Sequence, residues 1–256
     1  MTDKPEFITV DGAPIALRYR AGSKAPGITW LGGYRSDMLG TKAETLDQWA
    51  ATNDHEFLRF DYSGHGESGG DFNEGCISRW LNESLAVHHQ YNKNPQILVG
   101  SSMGAWITLR MTQELIKQGK GPAGIILIAP APDFTARLIE PNLSEEYKKS
   151  LIEKGYFEEP SEYSPNPFIY TRKLIEDGRQ NLVLTDIIET GCPVHILQGC
   201  QDEDVPYSHA LLLTEHLPVD NVTLTLVRDG DHRLSRPQDL DLLTRSLDMM
   251  IAQINN

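Results

Sequence analysis

Hydrophobic positions along this chain follow two alternating rhythms. Short apolar runs bounded by Gly, Pro or Asp give way to longer stretches in which apolar residues return every three or four positions. The first rhythm is that of buried strands, the second that of amphipathic helices. "GITWL", "EFLRF", "QILVG", "GIILIAP", "PVHILQG" and "VTLTLV" read as strands. "TKAETLDQWAAT", "SRWLNESLAVHHQYN", "AWITLRMTQELIKQG", "SHALLLTEHL" and "LDLLTRSLDMMIAQI" read as helices. Ahead of them, "EFITVDGAPIALRYRAG" holds two β-rich runs split by Asp11-Gly12, a hairpin signal.

This alternation predicts an α/β fold with a mainly parallel central sheet and helices on both faces. Crossovers should be right-handed, and functional groups should gather at the carboxyl ends of the strands. Residues 131–190 break the rhythm: the stretch between "IILIAP" and "PVHILQG" is far longer than a loop and one helix require. It holds a charged helical piece, "SEEYKKSLIEKG", and a Pro- and Tyr-rich piece, "YFEEPSEYSPNPFIYTRKLIEDG". Too polar for a core of its own, it is expected to be an inserted lid over the sheet's carboxyl edge. Residues 1–130 and 191–256 then form the core.

Composition narrows the class. With 256 residues, 39% of them hydrophobic, the chain can bury a substantial core. Its net charge of −13 argues against a broad phosphate-binding surface, so nucleic acid is not an expected partner. No apolar run approaches the roughly 20 residues of a bilayer span, so no stable membrane insertion is expected. The start, "MTDKPEFITV", has neither a secretory h-region nor an Arg-rich presequence, and a cytoplasmic location is the expectation. Cys76, Cys192 and Cys200 form no C-x-x-C and suggest free thiols. His88-His89 are adjacent and so do not share a helix face, and no H-E-x-x-H occurs. No metal or organic cofactor is implied.

The chemistry concentrates around "ILVGSSMGAW". Gly100, Ser102 and Gly104 make G-x-S-x-G between a predicted strand and a predicted helix, the context in which a sharp turn lifts a nucleophilic serine above the sheet. Ser102 takes the apex and Ser101 a spacer position. A serine needs a base, and the base an acid to orient it. On this fold the order is Ser, acid, His, each after a strand. "HILQGCQDEDVP" offers Asp202, Glu203 and Asp204, and "LTLVRDGDHRLSRP" offers His232. An oxyanion hole would use the N–H of Met103 and an N–H from "WLGGYRSD", where Tyr34 follows Gly32-Gly33. Arg35 and Arg233 flank these positions and could receive an anionic leaving group; Arg137 enters the lid nearby. The plainer reading pairs these arginines with Asp37, Asp231 or Asp133.

"LGGYRSDMLGTKA", "LRFDYSGHGESGG", "VGSSMGAW", "QGCQDEDVP" and "GDHRLS" together resemble the α/β-hydrolase superfamily, over nearly the whole chain. Within it the chain is similar to the subfamily of the mitochondrial palmitoyl-protein thioesterase, also described as an acyl-glucuronide esterase, and its bacterial relatives. The resemblance implies a serine hydrolase acting on small acyl esters or thioesters, or on acylated proteins. Its G-x-x-D-x-x-V-P pattern selects Asp202, its D-H-R pattern His232, and its oxyanion tyrosine Tyr34. "DYSGHGESGG" matches a loop that shapes the wall of the site, with no catalytic group assigned. Two alternatives share the scaffold: an acyltransferase that resolves the acyl-enzyme with an alcohol or thiol, and a ligand-binding or signalling protein with vestigial catalysis.

Overall fold

A computed structural model describes residues 4–160, 167–219 and 221–255. Its centre is an eight-stranded sheet with strand order β1-β2-β4-β3-β5-β6-β9-β10. β1 (Glu6–Val10) and β2 (Ala13–Arg20) form the expected antiparallel hairpin, with Asp11 and Gly12 both at positive φ in its turn. β2 runs antiparallel to β4 (His55–Phe60), and from β4 onward every pairing is parallel. These strands are β3 (Lys24–Leu31), β5 (Gln96–Ser101), β6 (Gly124–Ile128), β9 (Val194–Gly199) and the edge strand β10 (Val222–Val227).

Every position of β4, β5, β6 and β9 is buried, which is why their sequences read as continuous apolar runs. Alternate side chains feed two cores. Ile97, Val99, Ile126 and Ile128 face one core with Leu46 of α1 (Thr41–Asn53) and Leu243, Leu247 and Met250 of α7 (Pro237–Ile254). Leu98, Ile125 and Leu127 face the other, with Trp80 of α2 (Ile77–Tyr91), Trp106 and Leu109 of α3 (Met103–Lys117), and Leu213 of α6 (Tyr207–Glu215). Each fully buried side chain of this size stabilises the fold by about 1.5–3 kcal/mol.

The chain passes from β3 outward to β4 and then back across to β5 on the other side of β3. That reversal opens a crevice beyond the carboxyl ends of β3 and β5, the place where such sheets bind ligands. Both Tyr34 and Ser102 stand there.

Between β6 and β9 the insertion carries α4 (Glu145–Glu153), β7 (Tyr156–Glu159), β8 (Phe168–Thr171) and α5 (Arg172–Gly178). α4 matches the charged helical piece, its N-terminus capped by Ser144 Oγ accepting the Tyr147 N–H at 3.1 Å. The Pro- and Tyr-rich piece supplies an antiparallel β7–β8 pair and α5, which its composition does not announce; its middle, 161–166, lies outside the described residues. The insertion is tied to the core at its root. Buried Asp133 accepts N–H groups from Val183 (2.9 Å) and Leu184 (2.8 Å), and the Trp106 indole donates to the Asn181 carbonyl at 2.9 Å.

Candidate active site

The turn after β5 is as sharp as G-x-S-x-G demands. Ser102 sits at φ 54°, ψ −120°, and α3 starts at the next residue with no side-chain cap. A Cβ on Gly104 would lie 2.1 Å from the Leu31 carbonyl oxygen, and one on Gly100 2.3 Å from Thr108 Oγ1. Only glycine at these positions lets helix, turn and strand close this tightly. Ser101 ends β5 and is buried, while Ser102 is partly exposed.

Ser102 Oγ lies 3.0 Å from His232 Nε2, and His232 Nδ1 lies 2.8 Å from Asp202 Oδ2. The three residues come from the loops after β5, β10 and β9, and the sheet brings them to one edge. Of the three competing acids, Asp202 is the one hydrogen-bonded to the histidine; Glu203 and Asp204 are exposed. Asp202 Oδ1 also accepts N–H groups from Val205 (2.7 Å) and Asp204 (3.1 Å). Oδ2 accepts a bond from Gln198 Nε2 at 3.0 Å. A buried carboxylate with these donors is fixed in place and can hold one imidazole tautomer, with the proton on Nδ1 and the lone pair of Nε2 toward the serine. Asp202, Asp204 and His232 offer ligand atoms within 4.8 Å of one another, but both ring nitrogens of His232 are already engaged.

The loop after β3 lies against the serine: a Cβ on Gly33 would stand 3.3 Å from Ser102 Cβ. The Met103 amide is the first of α3 and has no acceptor within the helix. The Tyr34 side chain does something the sequence did not indicate. Its hydroxyl donates to the Ile169 carbonyl of β8, and its ring stacks on Tyr170, with centroids 5.5 Å apart and planes at 4°. Burial pushes its hydroxyl pKa upward, the nearby Arg35 charge opposing the shift. Phe72, Phe134 and Phe168 complete this aromatic wall.

The arginines divide. Arg137 has its Nε 3.9 Å from Asp133 Oδ2 and donates to the Leu184 carbonyl, so it serves the root of the insertion. Arg35 packs its guanidinium 4.5 Å above the Phe72 ring and, among the described residues, forms no ion pair. Asp37 instead accepts the Leu39 N–H at 2.8 Å. Arg233 is exposed, and its carbonyl accepts a bond from Lys42 Nζ. Lys42 reaches from α1 to brace the histidine loop; burial first, then the Arg233 charge, pulls its pKa down to about 8. Gln198 and Lys42 escaped the sequence reading. A glutamine inside the apolar strand "PVHILQG", four residues before Asp202, was the available signal for the first.

A serine on a sharp strand-to-helix turn, with a histidine and an aspartate on loops after other strands of a mainly parallel sheet, is the arrangement of the α/β-hydrolase class. A profile described as the alpha/beta hydrolase family matches residues 25–241, so the chain belongs to that family and is a hydrolase. Among curated relatives, the mouse protein named palmitoyl-protein thioesterase ABHD10, mitochondrial, is 32% identical over 250 residues, covering 97% of this chain and 83% of that protein. Among solved structures, a putative hydrolase from Agrobacterium vitis S4 superposes with a TM-score of 0.95 at 56% identity, over 97% of this chain and 98% of that one. Mouse alpha/beta hydrolase domain-containing protein 10 gives 0.87 at 30% identity, over 98% and 99%.

Proposed function

We propose that this hydrolase cleaves carboxylic esters or thioesters through an acyl-enzyme on Ser102. The observation that carries the reading is the unbroken chain Ser102 Oγ–His232 Nε2–Asp202, at 3.0 and 2.8 Å, on a strand-to-helix turn. The thioesterase relatives support the substrate class.

His232 Nε2 takes the Ser102 proton as Oγ bonds to the acyl carbon, and the carbonyl oxygen becomes an oxyanion. The N–H groups of Tyr34 and Met103 receive that charge; each such donor contributes about 2.7–4 kcal/mol to the transition state. Collapse breaks the bond to the alkoxy or thiolate leaving group, which takes the proton from Nε2. Water then repeats the sequence, giving its proton to His232 and its oxygen to the acyl carbon, and Ser102 leaves with the proton. Asp202 keeps the tautomer correct and stabilises the imidazolium. Arg35, a cation on the rim of the crevice that forms no ion pair among the described residues, is the group suited to a carboxylate or phosphate on the leaving group.

The test is turnover of p-nitrophenyl and acyl-thioester substrates by two variants. Ser102→Ala loses essentially all turnover, whereas Ser101→Ala stays within about tenfold of the parent. Loss in Ser101→Ala with survival of Ser102→Ala would overturn the reading.

A further inference from the structure

The loop after β4, "DYSGHGESGG", supplies no group to acyl transfer, yet two of its side chains hold the backbone of the loop after β3. His65 Nε2 accepts the Arg35 N–H at 3.2 Å, and Asp61 Oδ1 accepts the Met38 N–H at 2.6 Å. We propose that His65 is the positioning residue of the oxyanion site: by holding the Arg35 N–H it pins the peptide that follows Tyr34, and so fixes the orientation of Tyr34, whose own N–H in the preceding peptide faces the substrate. The inference rests on the reading above in which that N–H receives the oxyanion.

An oxyanion donor must stand about 2.7–3.1 Å from the atom it stabilises, and a loop has no strand ladder to keep it there. Here the loop is also in an uphill conformation, since Arg35 has φ 56°, a region non-glycine residues seldom occupy. A tether at that residue is what such a geometry needs. His65 can act only as a neutral ring of one tautomer. Its Nδ1 faces the Ser63 carbonyl at 3.2 Å, which only accepts, so Nδ1 carries the hydrogen. Its Nε2 faces an N–H, which only donates, so Nε2 carries the lone pair. The ring is 4% exposed and boxed by Trp80 (5.2 Å, edge-on), Phe72 (5.0 Å) and Tyr62 (5.6 Å). Burial, with the Arg35 charge adding to it, pulls its pKa down to about 4 and keeps it neutral.

Three variants separate positioning from packing. His65→Gln keeps an acceptor at the reach of Nε2; His65→Met has the same length without one; His65→Phe keeps a ring without one. In Met and Phe, kcat should fall about tenfold to a hundredfold, less than the roughly 10²–10³ of deleting a donor outright, with KM within about twofold. The inhibition constant of a boronic acid, whose tetrahedral adduct needs the oxyanion site, should rise in step. Gln should recover most of both losses. Equal impairment of Gln and Met, or a Phe variant with parental kcat, would overturn the proposal. Fluorophosphonate labelling of the parent at Ser102 tests the underlying reading separately: if labelling is absent, that reading has failed, whatever the His65 variants do.

Discussion

Ser102 occupies backbone space that costs an ordinary residue about 1–3 kcal/mol, and the surrounding close packing of Gly100 and Gly104 holds it there. The neighbouring acids show how finely the site distinguishes like residues. Asp202 is buried and bonded to His232; Asp204, two residues on, gives Asp202 only its backbone N–H. Asp202→Asn should therefore lower kcat by about 10⁴, because the histidine is then held in the wrong tautomer. Asp204→Asn should keep kcat within about tenfold, and steady-state kinetics on one p-nitrophenyl ester checks both. For Arg35→Ala, KM for an ester with a carboxylate on its leaving group should rise about tenfold or more, an ion pair's worth of binding. KM for the neutral ester of the same acyl chain should barely move. Equal rises would make Arg35 a support for the loop alone.

At the scale of elements, the insertion depends on one buried carboxylate. Asp133, 0% exposed, gathers the N–H groups of Val183 and Leu184 from the far end of the insertion, though burial pushes its pKa up. Asp133→Ala strands two buried donors at about 1–3 kcal/mol each, so thermal stability should drop and limited proteolysis should cut first between β6 and β9. The strands and helices of the core, and the serine turn, were legible because each is written locally: a period of two or 3.6, or three small residues in five. The candidate order Ser102, Asp202, His232 is not local; it was legible from the chain order such a fold expects and from the family resemblance. The β7–β8 pair was not, since its strands are only four residues long and are paired only with each other. Nor were the bonds from His65 to Arg35 or from Tyr34 to Ile169, which join segments 30 and 135 positions apart. A polar residue in a buried loop announces that it needs a partner, but the fold alone decides which.

For the whole molecule, acid should test how the buried histidine is held. The unfolded chain protonates His65 near the ordinary value of 6.5, whereas the folded protein resists until about 4. Between those values the unfolded state binds more protons, so this residue's contribution is fully present above about pH 6.5 and is lost as pH falls toward 4. The stability of the parent relative to His65→Gln should thus decline by about 3 kcal/mol from pH 7 to pH 4 in urea titrations. Asp61, pushed the other way to about 6 by burial, is present in both proteins and largely cancels in the difference. A constant difference would mean that the ring is solvated. Among the described residues no helix is long and apolar enough to cross a membrane.

The central claim is that acyl transfer passes through Ser102, and rapid-quench mass spectrometry with a long-chain acyl thioester reads it directly. The account predicts a transient mass increase equal to one acyl group, mapped to Ser102 within the peptide carrying "VGSSMGAW" and absent from Ser102→Ala. An acyl group on Ser101 or any other residue, or steady hydrolysis with undiminished rate in Ser102→Ala, would contradict it.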